Sequence, residues 1–120
     1  MTDVAHLAVL TTADSRELAE RLARTAVAGR LAACAQIDGP ITSVYRWQGV
    51  VETEQEWRVQ YKTTAARYPA LEEHIKATHG YATPEIIATP IVGGSADYLA
   101  WLVTETAADP ADEGPTGGGG

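Results

Sequence analysis

The 120-residue sequence contains no phenylalanine, one cysteine and one methionine. The single cysteine, Cys34, excludes a disulfide within the chain, so nothing in the sequence calls for an oxidising compartment. Without phenylalanine, bulky contacts must come from three tryptophans, five tyrosines and the aliphatic residues. Tryptophan and tyrosine also need partners for their polar atoms, which favours positions at the rim of a core and at interfaces.

Basic residues are few as well. Nine Lys and Arg stand against sixteen Asp and Glu, which gives a formal net charge of −7. The nine are scattered without a basic run, so no surface for a row of phosphates is indicated and nucleic acid is not an expected partner. The excess of acid is compatible with cation binding, and it equally suits a surface that keeps the protein soluble.

Long hydrophobic runs and familiar catalytic motifs are also missing. No run approaches the roughly 20 apolar residues of a membrane-spanning helix, and the first fifteen residues lack the basic stretch of a signal peptide. We therefore expect a cytoplasmic protein without a membrane partner. The sequence contains no G-x-G-x-x-G, P-loop, H-E-x-x-H, C-x-x-C or G-x-S-x-G motif, so we do not expect an enzyme.

Hydrophobic periodicity predicts seven elements in the order β-α-β-β-α-β-α. Asp14 with Glu17 predicts the N-cap of the first helix, and Gly29 its C-terminal stop. Gly39-Pro40 interrupts a long strand, and Gln48-Gly49 forms a hairpin turn. The predicted strands cover 4–12, 31–47, 51–62 and 85–92, with Pro90 at an edge or bulge, and the helices cover 15–28, 68–79 and 95–106.

This order predicts an α+β fold of the ferredoxin-like βαββαβ type, with a long central hairpin and an extra C-terminal helix. Two helices are expected on one face of an antiparallel sheet. Residues 1–106 form the predicted domain. Residues 107–120 are rich in Gly, Pro and acid, and we expect them to be disordered because they cannot bury enough apolar surface.

The hairpin is predicted to carry more apolar surface than one chain covers. Alternation gives both faces of the sheet an aromatic surface, formed by Ser43, Tyr45, Trp47, Trp57, Val59 and Tyr61. Two helices cover one face, so an oligomer is expected, although the pattern does not fix the number of subunits. The acidic row Glu52, Glu54, Glu56 is interpreted as a charged face that protects an edge, with a cation ladder as the alternative.

Few residues suggest chemistry by themselves. None of the three histidines has the spacing of a zinc site. His79, at a helix end before Gly80-Tyr81, is either a partner of the helix dipole or a functional residue. Cys34 lies in an apolar segment, as a buried hydrophobic residue or a reactive thiol. Lys62, Tyr81 and Glu85 lie near strand ends. These three side chains either converge as the acid, base and anchor of a catalytic site, or form a solvent-exposed salt bridge in a loop.

Several separate segments resemble one known family, and their order and spacing match it across residues 4–104. The sequence is similar to the CutA divalent-cation tolerance proteins in the segments LAACAQI (31–37), GPITSVYRWQG (39–49), KT (62–63), HGYATPEII (79–87) and YLAW (98–101). The resemblance implies a ferredoxin-like fold that forms a tight homotrimer through the long hairpins, like the PII nitrogen-signalling proteins. It also implies a role in tolerance of copper and other divalent cations.

The resemblance also implies a set of site residues. Where family members have a described copper site, the ligands are a cysteine at the end of the first strand and two adjacent histidines. This sequence has Thr11 at the first position and Thr78-His79 at the pair, so the expected ligands of Cu²⁺ or another divalent cation are His79 and Cys34. A PII-like sensor of small molecules that signals to a protein partner is the alternative. The residues placed around the intersubunit cleft, for which interface packing is the competing explanation, are Cys34, Tyr45, Trp47, Lys62, Tyr81, Glu85 and Trp101.

Overall fold

The computed structural model describes residues 5–108 as an antiparallel four-stranded sheet with three helices. The elements are β1 (His6–Ala13), α1 (Arg16–Ala28), β2 (Cys34–Trp47), β3 (Val50–Thr64), α2 (Tyr68–Thr78), β4 (Ile86–Pro90) and α3 (Ala96–Thr106). The strand order is β2-β3-β1-β4, and the predicted element order and fold class are confirmed.

The N-terminal end of α1 differs from the prediction by one residue, whereas its C-terminal end, Ala28 followed by Gly29, is as predicted. Ser15, and not Asp14, is the N-cap, because its backbone is extended and its hydroxyl accepts a hydrogen bond from the Leu18 N–H at 3.1 Å. At the other end Gly29 has φ −86°, and the left-handed residue is Arg30 at φ 61°. The guanidinium of Arg30 donates to backbone carbonyls at the end of α3, and these bonds accompany a conformation that glycine adopts more easily.

The core lies between one face of the sheet and helices α1 and α2. Val59 and Tyr61 of β3 are fully buried there, and the Tyr61 hydroxyl donates to the Leu22 carbonyl of α1 at 3.0 Å. Leu71 and Ile75 of α2 are also fully buried. The helices therefore cover the face of Val59 and Tyr61, whereas Tyr45 and Trp47 on the other face stay 41% and 45% exposed.

The hairpin of β2 and β3 extends beyond the rest of the sheet. Its register runs from Cys34 opposite Lys62 to Trp47 opposite Val50, and Gln48-Gly49 makes the predicted turn with positive φ at both residues. β1 pairs only with residues 57–64 of β3, so residues 50–56 have β2 as their only strand partner among the described residues. Val44 and Val51 in this distal part are 65% and 61% exposed.

The predicted interruption at Gly39-Pro40 is a register shift in β2 between Asp38 and Ile41. Gly39 has φ 146°, which side chains rarely tolerate. A Cβ atom at this position would lie 2.9 Å from Cδ1 of Trp57 and 3.0 Å from the carbonyl oxygen of Glu56. The bulge therefore requires glycine, and it brings the backbone of β2 close to Glu56.

The remaining elements close the two edges of the fold. Within the described residues β4 pairs with β1 alone, and it is shorter than predicted, with Pro90 at the edge as expected. Ser95 is the N-cap of α3, while Tyr98 and Trp101 on this helix remain 41% exposed. Val4 and residues 109–120 of the predicted tail lie outside the described residues. None of the helices in the described part is long and apolar enough to cross a membrane.

Candidate functional site

A cleft of about 640 Å³ lies beside the distal hairpin, and we call it the hairpin cleft. The end of β1, the distal part of β2, one residue of β3 and the loop between α2 and β4 form its walls. Its lining residues are Thr12, Ser43, Val44, Tyr45, Trp47, Glu56, Tyr81, Ala82, Thr83, Pro84 and Glu85. This volume lies within the usual range of ligand pockets, about 300–1,000 Å³.

His79 fixes the loop that forms one wall of the cleft. The helix α2 ends at this residue, whose backbone N–H donates to the Ile75 carbonyl at 2.9 Å. Nδ1 of the ring accepts from the Tyr81 N–H at 3.2 Å, so Nε2 carries the proton and donates to the Thr12 carbonyl of β1 at 2.5 Å. The ring, which is only 9% exposed, thus joins the loop to the sheet and places Tyr81.

Tyr81 and Glu56 form the polar centre of the hairpin cleft. The Tyr81 hydroxyl donates to Oε2 of Glu56 at 2.7 Å, and the Glu56 residue is only 7% exposed. Burial, and after it the hydrogen bond that Tyr81 donates to Glu56, raises the pKa of Tyr81 above its ordinary value. The tyrosine therefore stays a proton donor, and the carboxylate keeps acceptor capacity at its second oxygen.

Three further predicted site residues, Cys34, Lys62 and Trp101, form a second group together with Tyr98, and we call these four residues the Cys34 cluster. The Cys34 sulfur lies 3.5 Å from the Tyr98 hydroxyl, and the Tyr98 and Trp101 rings are 5.5 Å apart. The hydrogen bond with Cys34, followed by burial, raises the pKa of Tyr98 to about 12. Lys62 donates to Oε1 of Gln36 at 2.9 Å.

Within one chain the two groups lie at different ends of the sheet. Lys62 stands opposite Ala8 of β1, whereas the cleft begins at Thr12. Four residues along a strand correspond to about 13 Å. The seven residues predicted around one cleft therefore divide into Tyr45, Trp47, Tyr81 and Glu85 on one side and Cys34, Lys62 and Trp101 on the other.

This division bears on the predicted metal ligands. Both ring nitrogens of His79 are engaged in hydrogen bonds, and Cys34 belongs to the other group. Among residues 5–108, no group of three or more His, Cys, Asp or Glu side chains could hold a metal ion. A single copy thus does not bring His79 and Cys34 to one ion, and their role as ligands stays a prediction.

Negative charge surrounds the cleft. Glu85 lines it, and in the hairpin Glu52 and Glu54 stand opposite Tyr45 and Ser43. Burial, followed by the carboxylates of Glu54, Glu52 and Glu56, raises the pKa of Tyr45. The acidic row predicted from the sequence therefore faces the same side as the aromatic wall of the cleft, where it favours positive over negative ligands.

Comparison with known proteins places this architecture in a family. The family model described as CutA1 divalent ion tolerance protein matches residues 7–105. The chain belongs to this family. A divalent-cation tolerance protein CutA from Thermus thermophilus is 47% identical over 98 residues, which is 82% of this chain and 95% of the relative.

Other CutA proteins show the same likeness over different proportions of their length. A chloroplastic protein CutA 1 from Oryza sativa subsp. japonica is 43% identical over 105 residues, 88% of this chain, which spans only 59% of that relative's length. The solved structure of a divalent cation tolerance protein from Thermus thermophilus has a TM-score of 0.83 at 45% identity. The match covers 85% of this chain and 99% of that one.

One residue at the centre of this CutA-family cleft was missed by the sequence analysis. Alternation placed Glu56 in a solvated acidic row with Glu52 and Glu54, yet it is buried and bonded to Tyr81. The contact joins residues 25 positions apart, and local periodicity does not encode it. The only local signal was Gly39-Pro40, whose bulge lies against the backbone of Glu56.

Proposed function

We propose that this CutA-family chain acts in divalent-cation tolerance as a homotrimeric cytoplasmic binding protein that receives a cation in the hairpin cleft. The supporting observation is Glu56, a buried carboxylate in an open cleft that has no cationic partner among residues 5–108. Burying a carboxylate without compensation is unfavourable, so such a site gains from a bound positive charge.

A divalent ion in this cleft requires ligands from more than one subunit. One chain offers the carboxylates of Glu56 and Glu85 and the hydroxyl of Tyr81, which alone do not complete the coordination of a transition metal. In a trimer, the Cys34 cluster of a neighbouring copy would supply a thiol. For Cu²⁺ the proposed set includes Cys34 and His79, provided that His79 releases one of its two hydrogen bonds.

The proposal is tested by calorimetric titration of the purified protein with Cu²⁺ and Zn²⁺. The same titrations are made on Glu56→Gln, His79→Ala and Cys34→Ser, with Glu73→Gln on the exposed side of α2 as a matched control. We expect saturable heat in the parent and the control and at least tenfold weaker binding in Glu56→Gln. Saturable heat that all four variants retain would contradict a cation site in the cleft.

A PII-like sensor is the second candidate, and the volume of the cleft favours it. A metal ion with a few waters needs far less than 640 Å³, because one water occupies about 30 Å³ in the liquid. In this reading a small organic molecule fills the cleft and changes the surface offered to a protein partner. Catalysis by Lys62 with Tyr81 and Glu85 has less support, since Lys62 is not beside them in one chain.

A further inference from the structure

The loop between α2 and β4, residues 80–85, is held by hydrogen bonds at one residue, Tyr81. Within the described part of the chain, no backbone–backbone hydrogen bond involves this loop. The Tyr81 N–H donates to Nδ1 of His79 at 3.2 Å, and the Tyr81 hydroxyl donates to Oε2 of Glu56 at 2.7 Å. A segment with so few bonds can change its conformation without disturbing the core.

His79, in contrast, is fixed by the two elements beside it. Its backbone N–H donates to the Ile75 carbonyl at the end of α2, and Nε2 of its ring donates to the Thr12 carbonyl of β1. The residue is only 9% exposed. These contacts lie within one chain, so they do not depend on which surfaces a neighbouring copy covers. The ring is therefore the fixed side of its contact with Tyr81, and the loop is the side that can move.

The ring atom that holds the loop is also the atom suited to a metal ion. With the proton on Nε2, the neutral ring has its only free lone pair on Nδ1. Metal-binding histidines usually donate their other ring N–H to a carboxylate or a backbone carbonyl, as Nε2 does here to Thr12. His79 thus fits a divalent ion at Nδ1 without a change of tautomer. Because the Tyr81 N–H already uses this lone pair, the ring can serve the loop or an ion, but not both.

Tyr81 connects this choice to the carboxylate of Glu56. Its ring lies against the ring of His79, with centroids 4.6 Å apart, and its hydroxyl occupies one oxygen of Glu56, a residue that is 7% exposed. Once the Tyr81 N–H is released, nothing in the loop backbone keeps this hydroxyl at Glu56. Both carboxylate oxygens then become available as acceptors or ligands.

We infer that His79 is a latch with two exclusive states, through which binding of a divalent ion moves one wall of the hairpin cleft. In the closed state, Nδ1 accepts from the Tyr81 N–H, and the Tyr81 hydroxyl donates to Glu56. In the open state, His79 gives Nδ1 to the ion, and residues 80–85 move away from Glu56 together with Tyr81. The open state rests on the proposed function, namely that the cleft receives a cation, whereas the closed state does not.

The closed state is tested in the full-length protein without any metal. Amide hydrogen exchange followed by NMR measures whether the Tyr81 N–H is bonded, and the ¹⁵N resonances of the histidine rings show which nitrogen carries the proton. We expect the proton of His79 on Nε2, and we expect the Tyr81 amide to exchange faster in His79→Ala than in the parent by about fivefold or more. His74→Ala, which removes the ring that contacts Thr25 on α1, is the matched control and should leave this rate unchanged. Equal rates in the parent and in His79→Ala would overturn the inference.

His79→Asn separates the contact with the loop from the contact with the sheet. The side-chain oxygen of asparagine accepts from the backbone N–H two residues later in an Asx turn, which reproduces the contact of Nδ1 with Tyr81. The shorter side chain does not reach the Thr12 carbonyl as Nε2 does. The Tyr81 amide should therefore stay protected in His79→Asn, even if His79→Ala does not fold. Fast exchange of this amide in a folded His79→Asn variant would contradict the latch.

The open state is tested by adding Zn²⁺, which is diamagnetic and therefore suits NMR. At saturation we expect the Nδ1 resonance of His79 to shift and the exchange of the Tyr81 amide to rise to the rate in His79→Ala. In His79→Asn, which has no imidazole, the exchange should stay slow when Zn²⁺ is added. A shifted Nδ1 resonance with an unchanged Tyr81 amide would overturn the inference, because the two states would then not exclude each other.

Calorimetry on the same samples distinguishes the failure of the latch from the failure of the proposed function. If Zn²⁺ binds and its binding depends on Glu56 while the His79 resonances stay unchanged, the cleft receives a cation and only the latch is wrong. If neither Zn²⁺ nor Cu²⁺ binds, the proposed function and the inference fail together.

Discussion

Thr11 shows how a single hydroxyl affects the stability of this fold. Its side chain is fully buried, and Oγ1 has no hydrogen-bond partner among the described residues. Valine has nearly the same shape without the hydroxyl, so Thr11→Val removes a buried polar group that gains nothing in the native state. We expect the free energy of unfolding to rise by about 1 kcal/mol, as measured by urea denaturation.

Thr63 provides the matched control for this experiment. It is equally buried, but its hydroxyl donates to the Leu31 carbonyl at 2.7 Å. Thr63→Val leaves that carbonyl without its donor and should lower the free energy of unfolding by about 1 kcal/mol. Equal losses in the two variants would mean that the Thr11 hydroxyl does contribute to the native state.

The buried hydroxyl of Tyr61 should make the free energy of unfolding depend on pH in the alkaline range. Burial raises the pKa of its hydroxyl well above the ordinary value of about 10. The native state therefore retains a proton that the unfolded chain releases, so this contribution is complete below about pH 10 and declines as the pH rises further. Urea midpoints measured from about pH 8 to 11.5 should fall, and Tyr61→Phe should fall less steeply.

The phenylalanine variant also loses the hydrogen bond to the Leu22 carbonyl. Its stability at about pH 8 should therefore be lower than that of the parent by about 1 kcal/mol. The two curves should approach each other at alkaline pH. Parallel curves across the range would show that Tyr61 is not the residue that titrates.

Four of the eleven residues that line the hairpin cleft could be predicted as site residues, but their arrangement could not. Of the seven residues that the resemblance grouped, Tyr45, Trp47, Tyr81 and Glu85 line this cleft. Local patterns could not reveal that His79 would use both ring nitrogens to hold the loop, because its partners come from β1 and from the loop itself. Long-range contacts of this kind decide which polar residues become buried.

At the scale of elements, the bulge in β2 is the feature with the strictest sequence requirement. Gly39→Ala would introduce a Cβ within 3.0 Å of Trp57 at a φ of 146°. Strain and overpacking together should lower the free energy of unfolding by about 2 kcal/mol or more. The shift in β2 should also displace Glu56, so metal binding in the hairpin cleft is expected to weaken in parallel.

Gly93→Ala is the control for this substitution. A Cβ at Gly93 would meet no atom within 4 Å, and its φ is not in the left-handed region. Its effect should stay within about 0.5 kcal/mol, as for an ordinary surface position. Comparable urea midpoints for the two alanine variants would contradict the role assigned to Gly39.

The types of the helices and strands could be predicted from hydrophobic periodicity, whereas the positions of their ends depend on contacts with neighbouring elements. An apolar stripe with helical spacing and the alternation of side chains along two strands are local properties of the sequence, and they predicted α1, β2 and β3 correctly. β4 ended early because β1 is its only strand partner among the described residues and this ladder stops at Leu7 opposite Pro90. Arg30, which follows the predicted stop Gly29, has the left-handed conformation, and its guanidinium contacts α3, which is remote in sequence.

For the whole molecule, the distribution of exposed apolar surface supports assembly. The distal hairpin is apolar on both faces, with Trp47, 45% exposed, on one face and Val44 and Val51, 65% and 61% exposed, on the other. A further patch includes Tyr98 and Trp101 of α3. Residues 50–56 of β3 also have no second strand partner within the described part of the chain. A neighbouring copy can cover this apolar surface and pair with this edge, and it would bring a Cys34 cluster toward a hairpin cleft.

Sedimentation equilibrium at micromolar concentration tests this arrangement directly. The proposed homotrimer should have three times the chain mass of 12.7 kDa. Val51→Asp places a charge on the free edge of the hairpin and should shift the protein to single chains with an unchanged circular dichroism spectrum. Val27→Asp, at a 37% exposed position on α1, should remain trimeric. A parent protein with a mass of 12.7 kDa would contradict the proposed homotrimer. A Val51→Asp variant that still forms trimers would show that the hairpin is not the assembly surface, because an interface built there cannot accommodate a buried unpaired carboxylate.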